Sequence, residues 1–152
     1  MTCEVRLGRV LGLPVIWGAR RIGHVEQPVP DEDGHRLRGL IIRRGIGGAR
    51  WVQRENVGVL GDVSVILTAR PVRPPRDTHF ALGAVQDESG LTLGRVTDLW
   101  ISPGTLAITA LEVTLGWTED LRSGRRRIRQ WAVRPGDDGA QVLIPREEWE
   151  VT

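Results

Sequence analysis

The segments Ile22-Gly23-His24-Val25-Glu26 and Leu93-Gly94-Arg95-Val96-Thr97-Asp98 decide the fold prediction for this chain. Their glycines lie 71 residues apart, and the same spacing relates the apolar run 37–42 to the run 108–113. A pattern that recurs in register along a chain predicts a duplicated structural unit. A glycine inside an apolar, strand-like run is typical of a bulge or a close backbone approach in a tightly curved sheet.

Turn signals separate short apolar runs throughout both units. Asp33-Gly34 and Pro103-Gly104 predict turns, because glycine and proline favour the backbone angles that turns need. Each turn precedes an apolar run, at 37–43 in the first unit and at 106–115 in the second. No segment has the apolar period of about 3.6 residues that marks an amphipathic helix. The sequence therefore predicts an all-β protein.

A proline- and arginine-rich segment, 70–76, interrupts the chain near its midpoint. Because proline fixes φ and lacks an amide donor, we expect this segment to be an extended, unpaired spacer. Small twisted sheets avoid exposed edges by closing on themselves. The sequence thus predicts two tandem small β-barrels, in residues 1–69 and 79–152, joined by a linker at 70–78. Units of this size are near the lower limit for independent stability, so we expect them to pack against each other.

Composition excludes several classes of protein. Of the 152 residues, 40% are hydrophobic and six are Trp, which is enough apolar material for a packed core and argues against disorder. The longest uncharged run, 99–111, has 13 residues, fewer than the about 20 that a membrane-spanning helix needs. The N-terminal region has no apolar run typical of a secretory signal, and the single cysteine, Cys3, excludes a disulfide framework. These features predict a cytoplasmic protein without a membrane span.

The basic residues are all Arg and are distributed unevenly. Residues 1–76 contain 13 Arg and 7 acidic residues, a balance of +6, whereas residues 77–152 contain 8 Arg and 12 acidic residues, a balance of −4. This asymmetry favours the attraction of an acidic partner to the first unit. The overall net charge of +2 is not typical of a dedicated nucleic-acid-binding protein.

The duplicated motif resembles the signature of the PRC-barrel family, an apolar residue followed by Gly-x-Val and an acid. The first copy is preceded by Leu11-Gly12-Leu13-Pro14-Val15, which is similar to the opening strand of the family; the second copy lacks this proline and carries an insertion at 118–124. PRC-barrels occur in the cytoplasmic part of the photosynthetic reaction-centre H subunit and in the C-terminal domain of ribosome-maturation factors. The resemblance covers about 9–69 and 80–145. It implies a non-enzymatic adaptor barrel that docks on protein or ribonucleoprotein.

Candidate catalytic and metal-binding groups are few. The acidic run Asp31-Glu32-Asp33-Gly34-His35 lacks the ligand spacing of a calcium-binding EF-hand loop, so a solvated turn is the better interpretation. The histidines His24, His35 and His79 are far apart in sequence and show no metal-ligand spacing. No serine lies in a nucleophile-elbow motif. The sequence therefore predicts no catalytic residue, no metal ligand and no cofactor.

The strongest local feature is the arginine-rich segment 125–131. On a strand, side chains alternate between faces, so Arg125, Arg127, Arg129 and Trp131 would share one face. Three guanidinium groups beside an indole suit the binding of phosphate and the stacking of a base. Alternatively, nearby acids would neutralise the three arginines through ion pairs. These acids are Glu119, Asp120, Asp137 and Asp138.

The sequence thus favours an interaction module that binds a protein partner through the barrel surfaces. The alternative is an RNA- or ribonucleoprotein-binding module that uses the segment 125–131. A more remote alternative is a small-molecule or metal sensor at the junction of the two barrels.

Overall fold

The computed structural model describes residues 4–76, 82–114, 125–136 and 139–145. Within these ranges the chain is mostly β, as predicted, with a single four-residue α-helix and two short 3-10 turns, Gly45–Gly47 and Arg54–Asn56. The elements are β1 (Val5–Arg6), α1 (Leu7–Val10), β2 (Pro14–Trp17), β3 (Arg20–Pro30), β4 (Leu37–Arg43), β5 (Ala49–Gln53), β6 (Val57–Leu60), β7 (Val65–Leu67), β8 (Leu82–Gln86), β9 (Thr92–Ile101), β10 (Ile108–Thr114), β11 (Arg126–Ile128), β12 (Ala132–Gly136) and β13 (Gly139–Leu143).

Two sheets contain these strands in matching orders. The first sheet has the order β5-β4-β3-β2-β7-β6, and the second has β11-β10-β9-β8-β13-β12. Neighbours along each path are antiparallel except β2–β7 and β8–β13, which are parallel. The two orders correspond strand for strand, in line with a duplicated chain. Both sheets are curled; the second forms about half a barrel and the first is open.

The glycines of the duplicated motif lie where neighbouring backbones approach closely. A Cβ atom placed on Gly23 would lie 2.3 Å from the Arg43 carbonyl oxygen, and one on Gly94 would lie 2.2 Å from the Thr114 carbonyl oxygen. Real Cβ atoms do not come so near to backbone oxygen. The prediction of a close approach at both positions is therefore confirmed.

The N-terminal segment crosses to the second sheet. Strand β8 pairs with the first part of β9, and β1 pairs with its last part, at Val5–Ile101 and Arg6–Trp100. The helical turn α1 then leads into β2 of the first sheet. The sequence does not predict α1, because four residues are too few to establish an apolar period.

The larger of two hydrophobic clusters joins the sheets, as the small size of the units predicts. Buried residues of both sheets, such as Leu40 and Leu111, belong to a single cluster. Backbone hydrogen bonds also cross between the sheets: the Leu37 N–H donates to the Leu106 carbonyl at 2.9 Å, and the Ile108 N–H donates to the His35 carbonyl at 2.8 Å. The relative position of the sheets is therefore fixed by packing and by directional contacts.

The proline-rich segment is not wholly unpaired. Val72 exchanges backbone hydrogen bonds of 2.7 and 2.9 Å with Trp51 on β5. The expectation of an unpaired spacer is thus wrong at Val72, because a non-proline residue between prolines keeps its amide donor. Over the part of the chain that is described, no helix has both the length and the apolar character needed to cross a membrane.

Candidate anion-binding site

The arginine-rich segment forms a shorter strand than the sequence predicts. Strand β11 covers only Arg126–Ile128 and pairs with β10, so that Arg127 lies opposite Glu112. Ile128 is buried in the core, whereas Arg125, Arg127 and Arg129 are exposed. The three arginines that were predicted to share a face are therefore all at the surface.

These arginines are engaged by acids from distant parts of the chain. The Glu4 carboxylate forms ion pairs with Arg127 and, at 3.4 Å, with Arg129 Nη1. The Glu112 side chain is buried, and its carboxylate lies 3.9 Å from Arg125 Nη1 and 3.5 Å from Arg6 Nη2. Because a buried carboxylate needs compensating charge, Arg6 and Arg125 have a structural role beside Glu112.

The indole beside the arginines belongs to Trp100. The Arg127 guanidinium carbon lies 4.1 Å from the ring centroid of Trp100, and that of Arg6 lies 4.9 Å from it. Partial burial and, secondarily, the charge of Arg129 lower the pKa of Arg127. The sequence analysis missed Trp100 because its place next to Arg127 follows from the pairing of β9, β10 and β11.

Trp131, the fourth residue of the predicted site, lies in the core. Its side chain is 7% exposed, its Nε1 donates to the Gly34 carbonyl at 3.2 Å, and its ring stacks on His35 with a centroid distance of 4.8 Å. The predicted alternation does not reach it, because β11 ends at Ile128. The indole therefore has little surface open to a base in this structure.

The acids that were expected to neutralise the arginines, Glu119, Asp120, Asp137 and Asp138, lie outside the described residues. Glu4 and Glu112 perform this task instead for the contacts that the structure gives. The arginine-rich segment is therefore a partly compensated network of charges.

The acidic run 31–35 is a turn whose carboxylates have partners within the chain. The Asp31 carboxylate accepts from Arg54 at 3.0 Å, and the Asp33 carboxylate accepts from the backbone N–H of His35 at 3.2 Å. Among the residues with described positions, no three His, Cys, Asp or Glu side chains come together in a way that could hold a metal ion.

A different group of arginines surrounds a pocket at one end of the first sheet. The pocket has a volume of about 660 Å³. We refer to it as the arginine pocket, and its lining residues are Trp17, Gly18, Arg20, Arg21, Ile22, Arg44 and Arg70.

Sheet topology brings these arginines together. Strand β3 is antiparallel to both β2 and β4. Its first residue, Arg20, therefore lies beside the end of β2 and near the end of β4, and Arg44 directly follows β4. Strand β7 runs parallel to β2, and the chain after it reaches Arg70 at the same end of the sheet. The tight β2–β3 turn has positive φ at Gly18 (56°) and Ala19 (62°), which brings Arg20 directly back beside Trp17.

The arginine pocket has no internal counter-charge among the described residues. All four of its arginines are exposed, and no described carboxylate forms an ion pair with Arg20, Arg21, Arg44 or Arg70. Like charges held close together raise the local positive potential and attract anions. The geometry can therefore bind an anionic group, with Trp17 and Ile22 as an apolar wall.

From the sequence, Arg20, Arg21 and Arg44 belong to a dispersed set with Arg36, Arg38 and Arg43 that is interpreted as solvated surface, and Arg70 belongs to the proline-rich spacer. No local signal in the sequence relates them, because turns that are far apart in sequence meet at one end of a sheet only through the strand order.

Two comparisons with known proteins found no relative of this chain. No model of a known protein family matches the chain, and no curated protein is significantly similar to it.

Proposed function

We propose that the protein is a non-enzymatic interaction module that binds an acidic segment of a protein partner at the arginine pocket. The observation that carries this proposal is the group of four exposed arginines without a described acidic partner. Interfaces gain specificity and association rate when opposite potentials meet. The excess of Arg over acidic residues in 1–76 would also attract an acidic partner from a longer distance.

The proposal includes the predicted architecture of two PRC-barrel-like units. Residues 1–69 would form the first unit, 70–78 the linker and 79–152 the second. Strand β1 would belong to the first unit in sequence but pair with β9 in the sheet of the second. The matching strand orders and the two motif glycines support this division. The cytoplasmic location predicted from the sequence is part of the same proposal.

A protein segment suits the pocket better than RNA does. Binding to nucleic acid relies on many phosphate contacts along a basic track. Here the arginines that have no acidic partner among the described residues are grouped at one end of one sheet, while Arg125, Arg127 and Arg129 face Glu4 and Glu112. A compact basic site of this kind is typical of acidic-motif recognition by Arg clusters.

Binding of an acidic peptide is the direct test of the proposal. We expect a fluorescein-labelled oligoglutamate peptide to bind the whole protein at low ionic strength, with affinity that falls as salt is added. Changing Arg20, Arg21, Arg44 and Arg70 together to Ala should weaken binding about tenfold or more, as measured by fluorescence anisotropy.

The matched control removes four exposed arginines elsewhere, Arg36, Arg73, Arg76 and Arg95, so that the change in net charge is identical. This variant should retain most of the affinity. Equal losses in the two variants would mean that net charge alone attracts the peptide, and the proposed site would be wrong.

The RNA-binding alternative gives a separate prediction. We expect the variant with Arg125, Arg127 and Arg129 changed to Ala to bind single-stranded RNA at low ionic strength within about threefold of the unaltered protein, because Glu4 and Glu112 already offset part of these charges. Filter binding measures this. Circular dichroism verifies that the variant folds without Arg125 beside the buried Glu112. A selective loss of strong RNA binding in this variant would favour the alternative over our proposal.

A further inference from the structure

We infer that the arginine pocket recognises a phosphorylated side chain within the acidic segment; this inference rests on the proposed function. Four arginines line one pocket of about 660 Å³. Since the chain contains no Lys, the choice of Arg carries no information, and the inference depends on how the four charges are grouped.

Four like charges at one pocket repel one another, and no described carboxylate offsets them. A Glu or Asp side chain brings one negative charge on two oxygens. A phosphate ester brings about −1.5 to −2 on three acceptor oxygens at a single centre, so one group offsets about twice the charge that a carboxylate does.

Each guanidinium group offers five N–H donors in a planar fork, and pairs with phosphate are commonly bidentate. Arg20 and Arg21 reach the pocket from the start of β3, while Arg44 and Arg70 approach from two other segments. Donors that come from several directions suit a tetrahedral phosphate better than a planar carboxylate.

The apolar wall of the pocket bears on the part of the ligand that carries the phosphate. Trp17 and Ile22 are half-buried and form an apolar wall in the pocket, where the carbon stem of a phosphorylated residue would pack. Trp17 also packs on the hydrophobic core, which limits its movement. A free phosphate ion would leave this wall unused, whereas a phosphorylated side chain would cover it.

A set of matched peptides tests the inference. They share one acidic sequence with a central phosphoserine, glutamate or serine, and their affinities for the whole protein are compared by anisotropy at one ionic strength. We expect the phosphoserine peptide to bind about tenfold tighter than the glutamate peptide, because charge-assisted bonds to phosphate are added. This preference should disappear in the variant that lacks Arg20, Arg21, Arg44 and Arg70 and persist in the control that lacks Arg36, Arg73, Arg76 and Arg95.

Each contrary outcome has a distinct meaning. Equal affinity for the phosphoserine and glutamate peptides would overturn this inference and leave the proposed function standing. Failure of every peptide to bind would overturn both. Inorganic phosphate that binds as tightly as the phosphopeptide, or RNA that binds more tightly, would show that the pocket serves another anion and would also overturn the inference. Circular dichroism of both four-residue variants verifies that they are folded. The single variant Arg44→Gln, which should reduce the preference for phosphoserine over glutamate, repeats the test with one substitution.

Discussion

Replacing Gly23 with Ala should destabilise the protein by about 3 kcal/mol, and Gly94→Ala should have a similar effect. The added Cβ would lie 2.3 Å from the carbonyl oxygen of Arg43 in the first case and 2.2 Å from that of Thr114 in the second. Both oxygens belong to the backbone of a paired neighbouring strand, so they cannot move aside without disturbing the pairing of β3 with β4 or β9 with β10. Neither glycine has positive φ, so the cost is steric.

Urea denaturation of the two variants measures this effect. The control is Gly104→Ala, since a Cβ there meets no atom within 4 Å, and we expect its free energy of unfolding to stay within about 0.5 kcal/mol of the original. Similar losses of unfolding free energy in the two variants would support the view that Gly23 and Gly94 occupy equivalent positions in the two sheets. Wild-type stability in either variant would contradict the close backbone approach at that position.

Trp131→Ala should cost about 3–5 kcal/mol of stability, the range typical of deleting a large buried aromatic side chain. The indole is 7% exposed, packs within the shared core and donates to the carbonyl of Gly34 in the turn before β4. Trp131→Phe keeps most of the packing and loses this hydrogen bond, so it should cost about 1–2 kcal/mol, including the unpaired carbonyl.

Thermal and urea denaturation distinguish this role from that of a surface stacking residue. Ile46→Ala serves as the control, because Ile46 is fully exposed and its truncation should change stability by no more than about 0.5 kcal/mol. If Trp131→Ala were as harmless as Ile46→Ala, the indole would be at the surface and could again be considered as a base-stacking residue.

The strands and the duplication could be predicted because their signals are local. The apolar runs, the turns and the motif glycines lie within a few residues of one another, and the spacing between the two copies is constant. The steric reason for Gly23 and Gly94 could also be anticipated, since a glycine within a strand often marks a place where another backbone comes close.

The charge partners could not be predicted in this way. Arg129 and Glu4 are separated by 125 positions, and they meet because β1 crosses to the second sheet. The acids near Arg129 in sequence were the natural candidates, yet the described contacts come from Glu4 and Glu112. Trp131 was placed on the arginine face for a related reason: strand alternation was extended past Ile128, where β11 ends.

The arginine pocket depends on topology rather than spacing. Nothing in the sequence relates Arg20 to Arg44 or Arg70 until the order β4-β3-β2-β7 is known. Dispersed arginines are usually solvated surface residues, and only their convergence at one end of a sheet turns them into a candidate site.

A titration of the isotope-labelled protein with the phosphoserine peptide, followed by amide chemical shifts, tests the central claim most directly. We predict that the largest shifts occur at the amides of 17–22 and of Arg44 and Arg70, around the arginine pocket, while those of β11 change little. Shifts centred on Arg126–Ile128, or an unchanged spectrum at saturating peptide, would contradict the assignment of partner binding to the first sheet.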